Sequence, residues 1–138
     1  MNPTDLLSTT AELALSLVEK NGVLVPFCRA ITSDGSIVFY SPETHADDPG
    51  FKKAEAHQRT VVLQEIKNRK LVGLAFCKDV VLTMKEPDEE VSALKIELHQ
   101  VDAKSSIHYF PYRIESGTAV TLPHHAIDVD PIELWTAP

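Results

Sequence analysis

The chain has 138 residues, 13 Lys and Arg against 20 Asp and Glu for a formal charge of −7, and 43% hydrophobic with 24% charged residues. That length suits one domain burying about 70% of its unfolded surface, and the composition excludes disordered, collagen-like and coiled-coil classes. The acidic balance opposes nucleic-acid binding, which needs clustered cations. The nearest basic cluster, Lys67, Arg69 and Lys70, sits where a helix should end and complements its dipole without any ligand.

In chain order, Asn2 to Asn21 has helical spacing: Leu6, Leu13 and Leu17, with Leu7, Ala14 and Val18 beside them, make a broad apolar stripe. Pro3 suits its first turn, and Asn21-Gly22 supplies residues that tolerate a left-handed exit. Val23 to Ile31 is β-like, although Pro26 cannot donate to a ladder and so belongs at an edge or bulge. Ser33-Asp34-Gly35-Ser36 predicts a hairpin with a two-residue turn, because Asp-Gly accepts positive φ, and the second strand is Ile37 to Tyr40.

After a polar stretch, Asp48-Pro49 caps a second helix. Phe51, Ala54, Val62 and Ile66 line its buried face, and Lys52, Lys53, Glu55, Arg59, Lys67 and Asn68 its wet one. Leu71 to Met84 is one long β-like stretch whose apolar start predicts a central strand covered on both faces. Glu86 to Glu90 is an acidic turn. Leu94, Ile96 and Leu98 alternate with polar residues, and Ser105 to Ile114 reads as the hairpin partner, with Ile96 opposite Phe110 and Leu94 opposite Tyr112.

The expected fold is α+β, one domain over 1–138, with a less regular tail over 117–138. A single antiparallel sheet of five strands carries both helices on one face, in the order α-β-β-α-β-β-β. Profilin-like and roadblock-type domains share this element order, which is an analogy of fold and not of function.

No basic segment leads into an apolar one at the start, and the longest apolar run, Leu71 to Cys77, is too short for a bilayer. The expectation is a cytoplasmic protein without membrane or nucleic-acid partners, in which Cys28 and Cys77 are buried free thiols. Neither belongs to a Cys-x-x-Cys pair.

The five glycines are too scattered to cradle phosphate, and neither a nucleophile elbow nor a His-Glu-x-x-His pair is present. Histidine supplies three candidate groupings. His99 and His108 lie on adjacent strands and would share a metal in one register. His124, His125 and Asp128 bring two imidazoles and a carboxylate close in sequence. Glu43, His45, Asp47 and Asp48 crowd the loop before the second helix, where capping explains the aspartates equally well. Each grouping competes with a plain polar loop or strand, so no cofactor is assigned. Tyr109-Phe110-Pro111-Tyr112 and Trp135 are candidate partner-binding aromatics, with alternation burying one of the strand's two sets.

Pro26-Phe27, Ala30-Ile31, Asp34-Gly35, Ala75 to Val80, Ile96-Glu97-Leu98 and Phe110-Pro111-Tyr112 together resemble the pattern of a family of small bacterial proteins. The resemblance implies a compact bacterial domain. That family carries no assigned reaction, ligand or catalytic residues, which leaves antitoxin-like or immunity-like binding open. The functional expectation is a noncatalytic domain that binds a protein partner or forms a homodimer. The alternatives are a metal-dependent hydrolase using His124, His125 and Asp128 with His99 or His108, and a small-molecule sensor with a pocket between helix and sheet.

Overall fold

A computed structural model describes residues 3–22, 24–40, 51–68, 70–85, 88–101, 105–122 and 125–129. Its elements are α1 (Pro3–Asn21), β1 (Phe27–Thr32), β2 (Ile37–Tyr40), α2 (Phe51–Asn68), β3 (Leu71–Lys85), β4 (Asp88–Gln100), β5 (Ser105–Glu115), β6 (Thr118–Thr121) and β7 (His125–Val129). The architecture is α+β. Six strands run in the order β2-β1-β3-β4-β5-β6, and β7 pairs with β5, all antiparallel to their neighbours. The five-stranded expectation falls short because Ser116-Gly117, with φ of 52° and 80°, makes a two-residue turn into β6, a geometry that requires positive φ at both positions. β6 and β7 therefore occupy the segment left without regular elements in the sequence reading.

The helices do not share a face. Directly opposed strand residues project from the same side of a sheet. One side carries Cys28, Ala30, Leu74 and Phe76, which pack with Val62 and Ile66 of α2. The other carries Ile31, Ala75, Cys77, Leu94 and Ile96, which pack with Leu6, Ala14 and Val18 of α1. β3, between β1 and β4, is thus covered on both sides, as its continuous apolar run predicts. The same run hid the helix arrangement, because apolar side chains on both faces leave no alternation to say which helix goes where. β2 and β3 are each antiparallel to β1 and hence parallel to one another, so their connection through α2 is a crossover.

Local chemistry explains the ends. Gly22, with φ of 71°, donates its N–H to the Val18 carbonyl at 2.8 Å and closes α1. The β1–β2 turn has three residues, not two: Thr32 N–H donates to Ser36 O at 2.9 Å, and Gly35 takes φ of 88°. Asp34 Oδ1 accepts from Thr32 Oγ and from the Ser36 N–H, which holds its carboxyl below the ordinary range. These bonds favour the longer turn over the bare Asp-Gly pair. None of the described helices is long and apolar enough to cross a membrane.

Candidate functional site

The β3–β4 hairpin outruns the rest of the sheet. Its strands pair continuously from Gly73–Gln100 to Lys85–Asp88, yet β1 accompanies β3 only as far as Phe27–Cys77, and β5 accompanies β4 only as far as Ala93–Pro111. A proline stands at each stopping point. The position before Phe27 is Pro26, which has no N–H to continue the ladder, and Pro111 has none to carry pairing onward. The Gln58 side chain serves the carbonyls there instead: its Nε2 donates to Pro26 O at 3.4 Å and to Tyr40 O at 2.8 Å.

Beyond these prolines lies an arm. Among the described residues, no strand pairs with the outer edge of β3 over Asp79–Lys85. Val81 in this stretch is 64% exposed, the largest value for a large hydrophobic residue among the described residues. At the arm's root Tyr112 Oη donates to the Asp79 carboxylate at 3.0 Å. Burial pushes the Asp79 carboxyl up against the Tyr112 hydrogen bond, and burial with the nearby Asp79 charge pushes the Tyr112 phenol up to about 12.

A second constellation lies on the α2 side, inside the sheet. Ser105 Oγ is 2.7 Å from His99 Nδ1, His99 Nε2 is 3.3 Å from Glu97 Oε2, and Arg59 donates to Glu97 Oε1 at 2.7 Å. The Arg59 guanidinium also sits over the Phe76 ring, 4.3 Å from its centroid. Burial alone would raise the Glu97 carboxyl. The His99 hydrogen bond and the Arg59 charge outweigh it and hold Glu97 down at about 2. An ionised carboxylate only accepts, so His99 Nε2 carries a proton, and in the neutral ring Nδ1 accepts the Ser105 O–H.

The order serine, imidazole, carboxylate resembles a nucleophile relay. Here, however, His99 is 1% and Ser105 2% exposed, so the chain acts as a strut tying β4 and β5 to α2. The cleft beside it, lined by Gln58, Arg59, Phe76, Lys95 and Glu97, has a volume of about 10 Å³. That is room for one water. A sensor-type ligand would have to displace these side chains.

The residues singled out from the sequence do not converge. His99 stands on the α2 side, whereas His108 opposes Ile96 on the α1 side and is 2.7 Å from Ser106 Oγ through Nε2. The two rings therefore stand on opposite faces of the sheet and do not meet. The β4–β5 register places Ile96 opposite His108 and Leu94 opposite Phe110, two residues from the expected pairing. A two-residue slip keeps every side chain on its face, so burial cannot detect it. His125 and Asp128 lie on β7, opposite Tyr109 and Ser106. Their side chains, like His124, Trp135 and the loop with Glu43, His45, Asp47 and Asp48, fall outside the described residues. No group of three His, Cys, Asp or Glu side chains placed to hold a metal occurs among the described residues.

Of the two tyrosines, Tyr109 is half-buried on the α2 side, and Tyr112 is 4% exposed within the α1 core. Tyr112 is thus a packing residue and not a free surface. Arg59, expected on the wet face of its helix, is drawn to Glu97 and Phe76. Cys28 and Cys77 are buried free thiols on opposite faces; burial pushes Cys28 up to about 12 and raises Cys77 as well. Both are poor nucleophiles.

Comparison with protein-family models, with curated proteins and with solved structures gives no match.

Proposed function

We propose that the protein is a noncatalytic binding domain that recruits a protein strand along the outer edge of its β3 arm. The observation that carries this reading is the seven-residue edge from Asp79 to Lys85, which no strand among the described residues pairs beyond the point where the prolines end both flanking ladders. A two-stranded hairpin is marginal in water by itself, and an exposed edge is a template for an added strand. Main-chain hydrogen bonds supply affinity there, while Val81 and its neighbours supply side-chain contacts. The buried strut behind the arm supports this role by fixing the base from which the arm projects.

A photoactivatable cross-linking residue placed at Val81 in living cells tests the reading, with Val120 on β6 as an exposed control of the same kind. The expected result is a discrete protein adduct from position 81, well above the control, which is lost when Val80 and Leu82 are changed to lysine. Equal, diffuse labelling from both positions overturns it.

A further inference from the structure

We infer that the β5–β6 hairpin beyond Pro111 is a strap, latched to α1 through Glu19 and able to open without the rest of the sheet. Pro111 is where the hairpin parts from its neighbours. β4 pairs β5 up to Ala93–Pro111, and β7 pairs it over Ser105–Tyr109, so from Tyr112 to Glu115 the strand paired with β5 among the described residues is β6 alone. The two-residue turn fixes the ladder: Glu115–Thr118 and Arg113–Val120 exchange N–H···O bonds, and Pro111–Leu122 is the next rung of that kind. There Leu122 N–H donates to Pro111 O at 2.8 Å, and proline has no N–H to return. The root of the strap is thus held by half a rung. A two-stranded hairpin with so little support is marginal in water.

What holds it lies on α1. Alternation along the ladder turns the Ala119 N–H away from β5, and Glu19 Oε1 accepts it at 2.7 Å. Glu19 stands in the last turn of α1, beside Lys20, where the helix dipole disfavours a carboxylate. The helix itself gains nothing from an acid there, whereas the outward amide of β6 does. Little else ties the strap down: Arg113 to Thr118, Val120 and Thr121 are all exposed. Tyr112, before them, is buried in the α1 core, so the part that moves begins after it. The same bond guards the outer edge of β6 at its middle, because an engaged N–H cannot template an added strand.

Amide hydrogen exchange, followed residue by residue in the full chain at several low urea concentrations, tests the inference. Val120, whose N–H lies inside the β5–β6 ladder, should exchange faster than Ile96 of β4, a strand paired on both sides. Its rate should also depend weakly on urea, as a small local opening does, whereas that of Ile96 should rise steeply. Glu19→Ala should speed exchange at Val120 about fivefold, the loss expected of one exposed charge-assisted hydrogen bond. Glu19→Gln keeps an acceptor oxygen and should speed it less. Without a latch, removing a carboxylate from the last turn only firms α1, and Val120 would stay as it is or slow. Glu12→Ala, which removes another exposed acid from α1, is the control and should leave Val120 unchanged. Val120 unmoved or slowed in Glu19→Ala would overturn the latch, and a Val120 as slow and as urea-dependent as Ile96 would overturn the independent strap.

Discussion

The two halves of the β3–β4 hairpin are built from the same strands and live in different physical settings. At the base, Leu74 is fully buried between Ala30 and His99, flanked by strands on both sides and covered by α2. In the arm, Val81 opposes Ser92 with no further strand on the β3 side among the described residues, and it is mostly exposed. Strand pairing is continuous across the boundary, so hydrogen bonding between β3 and β4 cannot be what distinguishes the two. The difference is lateral: two prolines remove the neighbours, and with them goes the burial that makes a strand contribute to stability. A sheet can thus hold a rigid base and an available edge in one element.

Truncation at the base gives the largest expected effect. Leu74→Ala removes a fully buried side chain beneath α2 and leaves a cavity that its packed neighbours fill only in part, costing about 3 kcal/mol in denaturant titration. A cost near zero would mean that the base is no better packed than the arm.

Next comes the strut. Glu97→Gln keeps the shape but removes the carboxylate charge that faces Arg59 and alters the bond to His99, which should cost about 2 kcal/mol. The sign with pH is fixed by the Glu97 carboxyl being lower in the folded protein than in the unfolded chain. Its contribution is fully present above the ordinary carboxylate range and is lost as pH falls toward about 2. Stability curves of wild type and Glu97→Gln should therefore converge on acidification. Parallel curves down to pH 2 would show that the carboxylate has no special role in holding α2 to the sheet.

Much of the base was legible in the sequence, and much of the strut was not. The run Leu71 to Cys77 announces a strand buried on both sides, Pro26 announces the end of a ladder, and Asn21-Gly22 announces the exit of α1. Each is a local signal with a local cause. Arg59 and Glu97 each read as a solvated charge on its own element, and only the crossover that lays α2 over β3 and β4 brings them together. His99 carried a partial signal, standing two residues after Glu97 on the same strand face. The two-residue register slip was invisible because alternation repeats every two residues. β6 was missed although Gly117 was present, since a Ser-Gly turn between short polar strands lacks the apolar alternation that marks a hairpin.

The smallest expected effect on stability belongs to the arm, and it is the most informative. Val81→Thr keeps a β-branched residue that favours the strand and replaces one methyl group with a hydroxyl at a largely exposed site. Folding stability of the dilute protein should change by no more than about 0.5 kcal/mol. Thermal or denaturant unfolding of the dilute protein measures this term. The substitution should leave the unfolding curve in place. A loss as large as that of Leu74→Ala in dilute protein would show that Val81 already belongs to a core, and the division of the hairpin into base and arm would fail.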